Sequence, residues 1–214
     1  MKIYIDGYIV ADEDSEILEW FGYPVMAPRL LREQLDKAKG EDVELIINSY
    51  GGDVWAAQAM YAELKSYPGK VTGIITGLAA SAATILMCAC SHLKASHGAQ
   101  VMIHNATTSA GGDYRDMEAT VEQLKTANDG IKAIYTAKTG RSYEELQNAL
   151  DAETWFSAET ALEAGFVDEI ETFESVRLVA GINDLDMNEL RKKYVENNWQ
   201  KQAEACLQIE KSRF

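Results

Sequence analysis

In the first half of this 214-residue chain, the spacing of the hydrophobic residues changes repeatedly between the spacing of a strand and that of a helix. Short apolar or alternating runs are typical of strands, and spacings of three and four residues between them are typical of helices. The strands are predicted at 2–10, 43–48 and 71–76, and the helices at 27–39, 54–66 and 82–89. This order favours right-handed βαβ units around a mainly parallel sheet, and therefore an α/β fold.

The second half is more helical. A short strand at 101–104 is followed by a small-residue loop, one long helical pattern at 114–139 and shorter helices at 142–150 and 157–165. The apolar stripe of the long helix consists of Met117, Val121, Leu124, Ile131, Ile134 and Tyr135. This stripe is longer than one small sheet can cover, so we expect part of the helix to lie in a contact between subunits.

The chain divides by composition into a domain at 1–174 and a charged, mostly helical tail at 175–214. The tail has a sparse apolar set that includes Tyr194, Trp199 and Leu207. Such a segment cannot bury enough surface to fold alone. It is expected either to pack as a helix on a neighbour or to be partly disordered.

Composition and charge narrow the classes of function. The chain is 47% hydrophobic and 25% charged, as ordinary globular proteins are, and its formal net charge is −14. Nucleic acids and anionic membranes require clustered Lys and Arg, so neither is expected as a partner. No apolar stretch is long enough for a membrane helix, and the first residues lack a signal-peptide core, which predicts a cytoplasmic protein.

The chain has three cysteines, Cys88, Cys90 and Cys206, the first two within an apolar segment. An odd number in a chain of this size favours buried reduced thiols over a disulfide or a metal site. No cofactor is expected.

Ser81 is the first candidate for chemistry. It lies in Gly-Leu-Ala-Ala-Ser-Ala, residues 77–82, between a predicted strand and a predicted helix. A sharp strand-to-helix turn exposes a nucleophilic hydroxyl, and small neighbours let a substrate carbonyl approach backbone N–H groups. A serine also needs an imidazole as base and an acid that orients it.

Three further segments could complete such a site. His104 ends the strand at 101–104, whereas His92 and His97 lie in a polar, hairpin-like connection and are expected at the surface. The pair Gly51-Gly52 ends another strand, where close backbone N–H groups can form an oxyanion hole. Residues 151–155 carry carboxylates in a short connection before a helix. Each segment taken alone also has a structural explanation. The histidine could simply be packed, the two glycines could form a plain turn, and the carboxylates could cap the helix that follows.

Taken together, the order of these segments resembles the Clp protease proteolytic subunit family. The resemblance rests on five motifs spread between residues 43 and 170. They are Ile-Asn-Ser-x-Gly-Gly at 47–52, Gly-x-Ala-Ala-Ser at 77–81, Met-Ile-His at 102–104, Thr-Gly-x-Ser at 139–142, and Ser-Ala-x-x-Ala-x-x-x-Gly-x-Val-Asp at 157–168. The resemblance implies a spiral of βαβ units, shared with crotonase-like enzymes, and a long handle helix.

The resemblance also implies roles for residues. Ser81 would be the nucleophile, His104 the general base and later general acid, and the N–H groups of Gly52 and Ala82 the oxyanion hole. The family's third member is an Asp two residues before an aromatic residue, and the gapless position here holds Glu153. Asp151 is the alternative for this role.

Departures from the family pattern bear on partners. Tyr50 replaces the usual Pro, and Asn105-Ala106 replaces the usual Gln-Pro after the histidine. The chain begins almost directly with its first strand, so docking to an AAA+ unfoldase is in doubt. The short segment before the first strand and the charged tail look more like the Clp-type head-maturation proteases of phages and prophages, which act on capsid and scaffold proteins.

The expected activity is therefore that of a serine endopeptidase acting on proteins or peptides. It is expected to assemble into a ring of six or seven subunits, or into two stacked rings. The alternatives are a housekeeping proteolytic subunit working with an unfoldase, a crotonase-like acyl-CoA enzyme and a catalytically silent ring subunit.

Overall fold

The computed structural model describes residues 1–171. The proposed boundary at residue 174, the tail and Cys206 lie outside this range. The described elements, in chain order, are β1 (Lys2–Ile9), α1 (Asp12–Trp20), β2 (Val25–Met26), α2 (Pro28–Ala38), β3 (Val43–Gly52), α3 (Val54–Ser66), β4 (Val71–Ala80), α4 (Ala82–Met87), β5 (His92–Ser96), β6 (Gln100–Ile103), α5 (Tyr114–Thr139), α6 (Tyr143–Asp151), β7 (Thr154–Ser157), α7 (Ala158–Glu163) and β8 (Glu169–Glu171).

Within residues 1–171 the strands form one mainly parallel sheet with the order β2-β1-β3-β4-β5-β8. Strand β6 also pairs in parallel with β4, and β7 pairs with β6 antiparallel. Helices connect most of the parallel neighbours, as parallel pairing requires. The predicted α/β architecture with a parallel sheet is thereby confirmed.

Strand β4 pairs with two different neighbours along its length. Its first half, Thr72–Ile75, pairs with β5, and its last residues, Leu78–Ala80, pair with β6. The register with β3 shifts between these halves, since Ile47 pairs with Ile75 but Ser49 pairs with Ala79. Such irregularities bend a strand and redirect its end. The end of β4 is thereby placed beside the end of β6.

The core lies between the sheet and helices α2, α3 and α4. The inward residues of the strands alternate with exposed ones, as in β1, where Ile3 and Ile5 are fully buried. Helix α4 is buried all round, which agrees with its wholly apolar or small sequence. The residue before α4 is therefore held by a rigid, packed element.

The long helix α5 follows its predicted bounds and begins with a capping box at Asp113. Only Ala127, Ile131 and Tyr135 of this helix are buried in the described chain. Val121, in the first half of the apolar stripe, is 48% exposed. The first half therefore leaves apolar surface uncovered, as the sequence suggested.

Two expectations were wrong. The connection expected at residues 92–96 is instead the parallel strand β5, with Leu93 and Ala95 buried. His92 lies at the surface as expected, with 41% of its side chain exposed, and its Nε2 lies 3.1 Å from Glu169 Oε2. The connection expected at residues 151–155 is also wrong in part, because strand β7 begins at Thr154.

Both described cysteines are buried and unpaired. Burial raises the pKa of the Cys90 thiol to about 12 and raises the pKa of Cys88 as well. In residues 1–171 no helix is both long and apolar enough to cross a membrane.

Candidate active site

Ser81 lies at the sharp turn between β4 and α4, where the sequence placed it. Its φ of 54° and ψ of −126° are outside the usual regions for a residue with a side chain. Strained backbone of this kind persists only where neighbouring structure fixes it, and it is frequent at functional sites. Here the Ser81 N–H donates to Met102 O at 2.9 Å, which ties the turn to β6.

His104 directly follows β6, and its ring is hydrogen-bonded to Ser81. Because Ala80 pairs with Met102 in parallel, the residues just beyond both strands emerge at the same edge of the sheet. The distance from His104 Nε2 to Ser81 Oγ is 2.7 Å, a short hydrogen bond between two partly buried side chains. An imidazole in this position can accept the hydroxyl proton.

The paired glycines bring the end of β3 against the serine turn. Gly51 has a φ of +91°, and a Cβ added there would lie 2.8 Å from both Ser81 Cβ and Ala82 N. Gly52 has a φ of +148°, and its Cβ would lie 2.0 Å from Ile9 O. Only glycine fits at either position. The Gly51 N–H is bonded to Ser49 Oγ at 3.0 Å, so the N–H of the next residue, Gly52, is the candidate oxyanion donor from this strand.

Ala82 provides the backbone N–H that follows Ser81 in sequence. It is the first residue of α4, and the first N–H groups of a helix have no partner within the helix. Its side chain is buried, so the peptide unit that joins it to Ser81 is firmly packed.

The two candidate acids differ in their surroundings. Strand β7 pairs antiparallel with β6 through Ile103 and Thr154, so Glu153 stands opposite His104 one position beyond the ladder. Glu153 is exposed and has a φ of 47°. Among residues 1–171 no hydrogen bond joins His104 to a carboxylate.

Asp151 is engaged elsewhere. Its Oδ1 accepts hydrogen bonds from Asn105 Nδ2 at 2.8 Å and from Gln147 Nε2 at 2.7 Å. These two bonds, with a smaller contribution from Lys132, hold the pKa of the Asp151 carboxyl below its ordinary value. The carboxylate therefore anchors the residue after His104 rather than the imidazole itself.

Two hydrogen-bonded supports of this site could not be predicted from sequence. The backbone N–H of Ala106 donates to Asn128 Oδ1 of α5 at 2.8 Å, which ties the loop after the histidine to the long helix. Thr84 of α4 and Tyr135 of α5 form a buried hydrogen bond behind the serine turn. Both pairs join residues distant in sequence, so no local pattern reveals them.

Within residues 1–171, no three His, Cys, Asp or Glu side chains are grouped so that they could hold a metal ion. The chemistry available at the site is nucleophilic attack by a hydroxyl with an adjacent imidazole as base.

Comparison with known proteins agrees with this geometry. Residues 25–174 match the model of the family described as Clp protease. The chain is 33% identical over 180 residues to the ATP-dependent Clp protease proteolytic subunit 1 of Protochlamydia amoebophila, covering 82% of each chain. It is 33% identical to the proteolytic subunit of Dehalococcoides mccartyi over 73% of this chain and 78% of that one. The Bacteroides fragilis subunit is 32% identical over 73% of this chain and 75% of its own.

Proposed function

The chain belongs to the Clp protease family and is a serine-type peptidase, and from this premise we propose that it is an endopeptidase that cleaves proteins through an acyl-enzyme. The hydrogen bond of 2.7 Å between Ser81 Oγ and His104 Nε2 carries the proposal. Ser81 attacks the scissile carbonyl, and His104 takes its proton and later gives it to the leaving amine. The N–H groups of Gly52 and Ala82 bind the oxyanion of the tetrahedral intermediate.

We propose Glu153 as the acid that orients His104. The register of β6 and β7 supports this choice, since it places Glu153 opposite the histidine. Asp151 is the weaker candidate, because its carboxylate already accepts bonds from Asn105 and Gln147.

The choice of acid predicts a ranking of two isosteric variants. Glu153→Gln is expected to lower kcat by at least about tenfold, because an amide in the orienting position favours the wrong imidazole tautomer. Asp151→Asn is expected to change kcat by less than about threefold, because an amide oxygen can still accept the bonds from Asn105 and Gln147. Steady-state hydrolysis of a fluorogenic peptide measures both, and the reverse ranking would assign the role to Asp151.

We further propose that the protein assembles into a ring of six or seven subunits, single or stacked. The exposed side chains of Tyr114 and Val121 on the first half of α5 support assembly, since apolar surface left exposed on a folded chain is where a second copy can pack.

Two biological roles fit this enzyme, and we propose the first: maturation of phage capsid or scaffold proteins without an unfoldase. Its support is the segment before residue 25, which lies outside the family match. That segment contains the acidic helix α1 and the exposed aromatic residues Trp20, Phe21 and Tyr23. It offers a partner a surface that the family match does not include.

The second role is that of a proteolytic subunit serving an AAA+ unfoldase. It is favoured by the names of the relatives, which are proteolytic subunits of an ATP-dependent protease. A crotonase-like acyl-CoA enzyme has no comparable support, since the family match is to Clp proteases.

One experiment separates the two roles. The purified protein is incubated with unfolded casein in the absence of nucleotide and of any ATPase, and its mass is measured by light scattering. We expect casein to be cleaved, and the particle mass to be six or seven times the 23.7 kDa of one chain, or twice that.

The possible failures are distinct. Hydrolysis of short peptides without cleavage of casein would favour the unfoldase-dependent role. A monomer at micromolar concentration would overturn the ring, and no hydrolysis of any peptide, together with no labelling by a fluorophosphonate, would overturn the peptidase proposal.

A further inference from the structure

Two buried hydroxyl groups form a hydrogen-bonded chain behind the nucleophile. Thr84 of α4 is fully buried and Tyr135 of α5 is 2% exposed. Thr84 Oγ1 donates to the carbonyl oxygen of Ser81, one turn back along the helix. A threonine hydroxyl has only one proton, so in the bond between Thr84 and Tyr135 the tyrosine must be the donor. The two hydroxyl groups therefore form a relay, in which Tyr135 donates to Thr84 and Thr84 donates to the Ser81 carbonyl.

These hydrogen bonds end on the peptide unit between Ser81 and Ala82, which carries a proposed oxyanion donor. The Ser81 carbonyl and the Ala82 N–H belong to one planar peptide group and point in opposite directions. The carbonyl also accepts the Thr84 N–H at 2.9 Å. Two bonds from one residue therefore fix the plane, and with it the direction of the Ala82 N–H.

The peptide unit needs this support because its conformation is strained. Ser81 has a φ of 54°, a region that side-chain-bearing residues rarely adopt. If the plane rotated toward a relaxed conformation, the Ala82 N–H would turn with it. Helix α4 contributes one bond to this carbonyl, from the Thr84 N–H, and the Thr84 hydroxyl adds the second.

Tyr135 is itself held rigidly. Its ring packs edge-to-face on Phe166 at 5.4 Å between centroids, and it is buried where α5 meets the core. Burial raises the pKa of the Tyr135 phenol, and the neighbouring Cys88 adds to this effect. The phenol therefore keeps its proton and remains a donor.

We propose that Tyr135 and Thr84 are positioning residues that hold the Ser81–Ala82 peptide so that its N–H faces the oxyanion. The inference rests on the proposed peptidase function, and it adds a second layer of residues to the site. Neither side chain touches substrate. Their effect is transmitted through the Ser81 carbonyl.

The proposal predicts which kinetic constant changes. An oxyanion forms only on the way to the tetrahedral intermediate, so a misdirected N–H weakens transition-state binding and leaves substrate binding intact. The loss should therefore appear in kcat and not in KM. Complete removal of one oxyanion donor costs about 10² to 10³ in kcat, and misdirection should cost less.

The experiment uses the full-length protein. Thr84→Val, Tyr135→Phe and the double variant form a double-mutant cycle, and Thr84→Ser is added as a variant that keeps the hydroxyl. Thr84→Val removes the relay and is expected to lower kcat for a peptide ester or amide by about tenfold, within the bound set by complete loss of a donor. Tyr135→Phe removes only the outer donor and should lower kcat by about threefold. The double variant should be no slower than Thr84→Val, because Tyr135 acts through Thr84. Thr84→Ser, which keeps the hydroxyl, should restore kcat close to the parent.

A neighbouring residue supplies the matched control. Thr136 follows Tyr135 on α5, and its Oγ1 is buried without a hydrogen-bond partner among residues 1–171. Thr136→Val removes a buried hydroxyl from the same helix without touching the relay, so kcat should not change.

A second readout separates positioning from general loss of stability. A peptide boronate forms a tetrahedral adduct on serine, so its affinity should fall in proportion to kcat across the variants, while KM stays within about twofold. Unchanged kcat in both Thr84→Val and Tyr135→Phe would overturn the proposal. Equal losses in kcat for Thr136→Val, or additive losses in the double variant, would overturn it too.

The failures of the two proposals are distinguishable. A parent protein that neither hydrolyses peptides nor reacts with a fluorophosphonate overturns the peptidase function and this inference together. An active parent whose variants are equally active overturns only the inference. If Thr84→Val fails to assemble, Tyr135→Phe decides the question, since it removes only the outer hydroxyl, and an unchanged kcat in that variant would then overturn the proposal.

Discussion

Ser81→Ala is expected to abolish peptide hydrolysis, with kcat lower by at least about 10⁴-fold, while ring assembly is retained. The serine and the histidine act as one unit, so loss of the nucleophile leaves only the binding and oxyanion contributions. Alanine fills the same space as the serine side chain, apart from the hydroxyl. The measurements are hydrolysis of a fluorogenic peptide and particle mass by light scattering.

A control variant tests whether the loss is specific. Ser66→Ala removes an exposed serine whose hydroxyl bonds only to Glu63 O at the end of α3, and it should match the parent. Turnover by Ser81→Ala comparable to that of the parent would end the serine-peptidase mechanism. A variant that loses both activity and assembly would show instead that the strained turn is needed for folding.

His104→Ala is expected to be as damaging as Ser81→Ala, because no other imidazole lies near the nucleophile in the described chain. His104 Nε2 is hydrogen-bonded to Ser81 Oγ. The loss in kcat should again be at least about 10⁴-fold near neutral pH.

The other two histidines are natural controls. His92 pairs with Thr72 near the start of β4, at the end of that strand opposite to Ser81. His97 is exposed in the turn that follows β5. His92→Ala and His97→Ala should therefore stay within about threefold of the parent in kcat, on the scale of surface substitutions. An active His104→Ala protein would remove the proposed base.

Much of the βα framework could be predicted because the spacing of apolar residues along the chain indicates each of these helices and strands. Helices α2, α3 and α5 have the predicted bounds to within one residue, since each has an apolar stripe and a clear end signal such as Gly140. Ser81 and His104 could be predicted as candidates because both follow apolar strands of the parallel sheet.

Other features could not be predicted from the spacing of apolar residues, for physical reasons. Helix α1 has a largely exposed apolar set that includes Ile17 and Trp20, so its sequence lacks the stripe of a packed helix. Strand β5 does alternate in burial, but its histidine and lysine suggested a polar connection. The relation between Glu153 and His104 depends on the register of β6 and β7, which only tertiary pairing fixes.

The pairing of β4, β6 and β7 also sets an order in which the site can form. Ala80 and Met102 pair across a short stretch of chain, whereas Ile103 and Thr154 pair across one more than twice as long. Closing a longer loop costs more entropy, and chains fold from the amino end as they are synthesised. Ser81 and His104 can therefore come together on a growing chain before the strand that follows Glu153 has been made. On this order, a nascent chain holds Ser81 and His104 together before β7 fixes the position of Glu153, the proposed orienting acid.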